Sequence, residues 1–146
     1  MNDSSQAQRI LIRGVNWLGD AVMSTPALQR LREARPTAHI TLLTPRKLVD
    51  LWQGHPALDN VITFAKHENL FKTARRLRQE RFTTALVLPN SPRSAMEVFL
   101  ARIPQRIGYQ RPWRNFCLTH AIRPRVGATT MRKRRTSEVK RLIESP

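Results

Sequence analysis

The sequence predicts an α/β fold, a parallel sheet with helices on both faces, on three observations. Short apolar runs alternate with helical stretches along most of the chain. One of those runs, Ala85 to Leu88 (ALVL), is apolar without a break, as in a strand covered on both faces. Turn and cap residues, among them Gly14, Pro36, Gly54, Pro56 and Ser91-Pro92, fall between the runs rather than inside them.

Arg9 to Gly14 (RILIRG) reads as the first strand, followed by a turn from Gly14 to Gly19. Asp20 to Arg35 has helical spacing, with Met23, Ala27, Leu31 and Ala34 on the face expected inward. Pro26 either kinks that helix or begins its main part, and Pro36 closes it. Ile40 to Leu43 (ITLL) is the second strand, Lys47 to Trp52 a short helix and Val61 to Phe64 (VITF) the third strand. Leu70 to Arg81 is amphipathic, with Leu70, Phe71, Ala74 and Leu77 expected inward and Lys72, Arg75, Arg76 and Gln79 outward.

After the Ala85 to Leu88 strand, Ser91-Pro92 supplies an N-cap with proline at the first helical position. The helix that follows is expected to bury Met96, Phe99, Leu100 and Ile103, and Arg106 to Tyr109 reads as a fifth strand. With the strand order 3-2-1-4-5, strands one and four are neighbours and the chain reverses direction between them. Ligands of such sheets bind outside the carboxyl ends of the strands at that reversal. The loops Val15 to Asp20 and Pro89 to Arg93 are therefore expected to converge on a site.

The domain is expected to span residues 1–122. Residues 123–146 read as a basic connector, with Arg132, Lys133, Arg134 and Arg135, and then the start of a helix carrying Val139, Leu142 and Ile143. An apolar helical face that only begins before Pro146 reads as part of a longer protein.

A hydrophobic content of 40% in 146 residues fits one globular domain rather than a disordered tail. The charge is the unusual property: 26 Lys and Arg against 10 Asp and Glu give +16. From Arg93 onward there are 13 basic and 3 acidic residues, so +10 of that excess lies in the last 54 residues, mostly as Arg. Such an excess points to an anionic partner, whether nucleic acid, an anionic membrane surface or a phosphorylated glycolipid. Cys117 is the single cysteine, which excludes an intrachain disulfide and clusters built on paired cysteines. The polar start and the lack of a long apolar run point to the cytosol.

Gly14 and Gly19 have the GxxxxG spacing of a phosphate loop, but Asp20 stands where such a loop has Lys. GVNWLGD contains no GxGxxG either, so neither nucleotide fingerprint is present. Asp20 has two readings: a residue that caps the helix, or a general base held ionised by the helix amino terminus. His67-Glu68 lacks a second His at metal-ligand spacing and reads as a surface loop.

The stretch from Ile10 to Leu31, above all Asn16-Trp17-Leu18-Gly19-Asp20-Ala21-Val22-Met23-Ser24, resembles the opening of the ADP-heptose:lipopolysaccharide heptosyltransferases, particularly the heptosyltransferase II type. Leu88-Pro89-Asn90-Ser91-Pro92-Arg93-Ser94-Ala95 resembles a second marker of that family, and Arg106-Ile107-Gly108-Tyr109 through Arg111 a third. The resemblance implies the Rossmann-like amino-terminal domain of a GT-B glycosyltransferase, inverting and metal-independent, with ADP-heptose as donor and the phosphorylated lipopolysaccharide inner core as acceptor. It matches Asp20 to the catalytic base and places Asn16, Trp17, Asn90, Ser91, Arg93 and Arg111 on the acceptor side. It also implies a second, nucleotide-sugar domain beyond this chain, and work at the cytoplasmic face of the inner membrane. The rival is a basic nucleic-acid-binding module without catalysis. It rests on charge alone, since no helix-turn-helix, RRM, KH or zinc-finger signature is present. A membrane-surface protein without catalysis is a third reading.

Overall fold

The computed structural model describes residues 8–123. Six parallel strands form one sheet: β1 (Arg9–Arg13), β2 (His39–Pro45), β3 (Asn60–Phe64), β4 (Thr84–Val87), β5 (Gln105–Tyr109) and β6 (His120–Ile122). Their order is β3-β2-β1-β4-β5-β6, as expected for the first five. Four α-helices cover the sheet: α1 (Leu18–Ala34), α2 (Val49–Trp52), α3 (Leu70–Gln79) and α4 (Pro92–Leu100). No helix among the described residues is long and apolar enough to cross a membrane. The connector expected over residues 123–146 lies, but for Arg123, outside the described residues.

Alternation along the central strands divides the core in two. Ile10, Ile12, Ile40 and Leu42 face α1 and α2, packing with Ala21, Leu28, Leu48, Trp52 and Ala57. Leu11, Leu43, Ala85 and Val87 face the other way, against Leu77, Ala95, Val98, Ile103 and Cys117. The register carries this pattern across the sheet, with Ile12 opposite both Leu42 and Leu86. The expectation of helices on both faces is met.

The chain differs from the sequence reading at several helix faces. α1 starts at Leu18 and runs unbroken through Pro26. Its buried residues are Ala21 and Leu28, while Met23 is exposed, as are Ala27 and Ala34. Apolar residues occur all round its first half, with Trp17, Leu18, Val22 and Met23 pointing to solvent. The helical spacing therefore had more than one apolar stripe to choose from. In α3, Ala74 and Leu77 are buried as expected, but Phe71 is exposed and Thr73 is buried in its place. The Thr73 hydroxyl is satisfied by donating to Glu68 Oε2 at 2.6 Å. In α4, Ser91 caps the helix as expected, accepting from the Ser94 N–H. Phe99, expected inside, is exposed and packs edge-on against Phe116 at 6.2 Å. β6 escaped notice because it has three residues, all exposed, at the sheet edge. Cys117 is buried, and burial pushes its thiol up, against the pull of Arg106 and Arg114.

Candidate functional site

All six strands point the same way, so their carboxyl ends share one edge, and the loops carrying the sequence-predicted residues lie along it. The groove at this edge has a volume of about 700 Å³ and is lined by Asn16, Trp17, Pro45, Arg46, Lys47, Phe64, Ala65 and Lys66. It lies among the loops that follow β1, β2 and β3. Three cations and no carboxylate line it. The Lys47 ammonium sits over the Trp17 ring at 5.0 Å from its centre, so aromatic surface and positive charge share one wall.

A buried ion pair joins β1 to α4, the elements that flank the two loops expected to converge on a site. Arg13 ends β1 and Glu97 lies in α4; their relative exposures are 2% and 1%. Arg13 Nε donates to Glu97 Oε2 at 2.7 Å and Nη2 to Oε1 at 3.4 Å, a forked contact. The third nitrogen, Nη1, donates to the Gly14 carbonyl at 2.7 Å and to Asn16 Oδ1 at 3.1 Å. The guanidinium also covers the Phe64 ring at 4.4 Å. Arg93 approaches the same carboxylate, 3.4 Å from Glu97 Oε1, and donates to the Glu68 carbonyl.

Of the residues singled out from sequence, Asn16 and Trp17 line the groove. Asp20 is exposed on the first turn of α1, at the same edge but outside the groove lining. It is not the cap: Trp17 occupies that position and makes no side-chain cap bond. Asp20 therefore lies in the first turn of a helix whose amino terminus has no side-chain cap. Arg93 is tied to Glu97 and Glu68, Ser91 to its capping role, and Asn90 is exposed on the β4–α4 loop. Arg111 follows β5 and donates to the Gln110 carbonyl at 3.0 Å.

A second buried guanidinium holds the β4–α4 loop. Arg114 is fully buried and its Nη1 donates to the carbonyls of Pro89 and Ser91 at 2.5 and 3.1 Å. Burial, and next the neighbouring Arg111, hold its pKa below the usual guanidinium value. Beside it Trp113 takes a left-handed backbone, φ 68°, with 87% of its surface exposed. Gly108 leaves room for this clamp: a methyl there would lie 2.7 Å from Arg114 Nη2 and 3.3 Å from both Leu118 δ-carbons. Gly108→Ala is expected to cost about 1–3 kcal/mol, the usual range for overpacking, read as a lower denaturant midpoint at unchanged slope.

Arg13, Glu97, Arg46, Lys47, Lys66 and Arg114 were not singled out from sequence. Arg13 had a signal, since strand alternation puts it on the same face as Leu11. Glu97 had a weaker one, lying between Met96 and Val98 on an apolar helix face. Arg114 had none, because irregular loops carry no periodicity.

No family model matches the chain. Curated proteins do. The chain is 32% identical over 120 residues to the lipooligosaccharide heptosyltransferase 2 of Haemophilus ducreyi, covering 79% of this chain and 34% of that protein. It is 31% identical over 119 residues to the lipopolysaccharide heptosyltransferase 2 of Salmonella typhimurium, covering 77% and 34%. Its curated homologues are heptosyltransferases. The solved Escherichia coli ADP-heptose lipopolysaccharide heptosyltransferase II superposes with a TM-score of 0.75 at 30% identity, over 83% of this chain and 36% of that one. The Rossmann-like α/β fold is thus shared with a heptosyltransferase. The chain spans about a third of the length of the curated heptosyltransferases it matches.

Proposed function

We propose that this chain is the acceptor-binding unit of a GT-B heptosyltransferase, which transfers heptose from ADP-heptose to the phosphorylated inner core of lipopolysaccharide with inversion and without a metal. The observation that carries this reading is the similarity to heptosyltransferases over about four fifths of the chain. The groove's chemistry supports it. Arg46, Lys47 and Lys66 suit the phosphates of an acidic oligosaccharide, and the Trp17 ring suits a sugar face. Asn16 and Trp17 would contact the acceptor, with Asn90, Ser91, Arg93 and Arg111 further along the same edge.

Asp20 is the proposed base. An acceptor hydroxyl oxygen forms the new bond to the anomeric carbon, the carbon–phosphate oxygen bond breaks, and ADP departs. The hydroxyl proton passes to the Asp20 carboxylate, which is exposed and so open to an incoming substrate. Cationic support for the departing ADP belongs to the two thirds of the relatives' length that this chain does not span. An acceptor built on a lipid would bring this work to a membrane surface, which we take to be the cytoplasmic face of the inner membrane.

The test is a pair of titrations, with a deacylated phosphorylated inner-core oligosaccharide and with duplex DNA, at low and near-physiological salt. The oligosaccharide is expected to bind better than DNA and to hold on better as salt rises, because directed hydrogen bonds add to the general field. Lys47→Gln with Lys66→Gln should weaken the oligosaccharide roughly 10-fold or more. DNA, drawn only by diffuse and salt-sensitive attraction, should lose far less. Sequence-selective DNA binding that survives the higher salt, without oligosaccharide binding, would replace this reading with the nucleic-acid module.

A further inference from the structure

We infer that Arg13 and Glu97 are positioning residues for the acceptor: the pair orients the Asn16 side chain and backs the Phe64 wall of the groove. The inference rests on the acceptor reading above and adds to it two residues that need not touch a ligand themselves.

The argument starts from what a fork can hold at once. Two of Arg13's three nitrogens are engaged by the Glu97 carboxylate, which fixes the plane of the guanidinium. The third then has a set direction, toward Gly14 O and Asn16 Oδ1. An asparagine whose oxygen accepts from a fixed guanidinium is held with its two N–H donors on the side away from that guanidinium. Asn16 lines the groove, so the groove gains a donor pair of fixed orientation, suited to a phosphate or hydroxyl oxygen. The flat face of the same guanidinium lies over Phe64, another lining residue. Through Arg13 the buried pair therefore touches two groove residues, Asn16 in the loop after β1 and Phe64 at the end of β3.

Stability alone does not account for this arrangement. Well-packed apolar residues commonly replace a buried ion pair without loss of stability. An apolar pair would leave Asn16 free to turn, and a lysine at position 13 has no planar fork to serve Glu97 and Asn16 together.

The experiment compares Arg13→Lys, Glu97→Leu, the double variant Arg13→Met with Glu97→Leu, and Asn16→Ala alone and added to the double variant. Three measurements are made on the whole chain: melting, NMR relaxation of the Asn16 side-chain amide, and titration with the deacylated phosphorylated oligosaccharide. The double variant should melt near wild type and well above Glu97→Leu alone. Its Asn16 amide should become mobile, and its oligosaccharide binding should fall about 10-fold, the worth of one directed hydrogen bond. Arg13→Lys should show the same two losses, and it decides the matter if the double variant does not fold. Adding Asn16→Ala should cost nothing further, because Arg13 acts through Asn16.

A double variant that melts near wild type and binds as wild type does would overturn the inference, as would losses that simply add to those of Asn16→Ala. If wild type itself does not bind the oligosaccharide, the acceptor reading fails. The amide still decides the positioning role: ordered in wild type and mobile in the variants upholds it, and no change removes it.

Discussion

Glu97→Ala is expected to lower the unfolding free energy by about 3–5 kcal/mol, the range found when one partner of a buried pair is removed. The reason is what remains. Arg13 is 2% exposed and Glu97 is the carboxylate that its fork engages, so the variant keeps a guanidinium in the interior without its counter-charge. The Gly14 carbonyl and Asn16 Oδ1 accept from Arg13 but bring no negative charge. Arg93 cannot compensate, since it is a second cation beside the same site. Chemical denaturation checks this: the midpoint should fall steeply while the slope stays as in wild type. A change within about 0.5 kcal/mol, typical of surface positions, would mean that the pair is not buried as described.

Asp20→Asn is expected to reduce heptose transfer by about 10²–10⁴-fold, the contribution typical of a positioned general base. The assay needs a transfer-competent polypeptide that carries this sequence. Asparagine keeps the size of the side chain and loses only the ability to take a proton. Acceptor affinity should therefore stay near wild type, and the loss should fall on kcat rather than KM. Stability should change little, because Asp20 is exposed and makes no ion pair among the described residues. Turnover near wild type would leave Asp20 with only its favourable place at the helix start.

The sheet was readable from sequence because its central strands are short apolar runs separated by turn residues, and because the direction change between β1 and β4 follows from the usual order of such sheets. The Ser91 cap was readable for a local reason: a hydroxyl residue before proline is a chemical signal that needs no tertiary context. The faces of α1 were not. Leu18, Val22 and Met23 are as apolar as the residues that point inward, and the inner face is built from Ala21 and Leu28, with Leu31, as expected, packed beside them. Phe71 and Phe99 were misplaced because size was read as burial, whereas Thr73 could go inside once Glu68 accepted from its hydroxyl.

At the site, Asn16 and Trp17 were found through motif and topology together. The cations after β2 and β3 were not, since neither the adjacent Arg46 and Lys47 nor the distant Lys66 belongs to a motif, and only the fold brings them to one groove. Arg13 and Glu97 hid one another. Each alone in an apolar segment looks out of place, and they become intelligible only as partners 84 residues apart.

That separation bears on how the molecule assembles. An early unit made of β1, β2, β3 and α1 would have the layer around Ile10, Ile12 and Leu28 but would lack both the layer on the other face and the carboxylate for Arg13. Such a unit is expected to be unstable until β4 docks and α4 completes the second layer and brings Glu97 across. The two flanks of the sheet are then expected to fold together, and a fragment ending before α4 should be poorly populated even though most of its strands are present. The pair also favours the one register of β1 on β4 in which Arg13 and Glu97 meet.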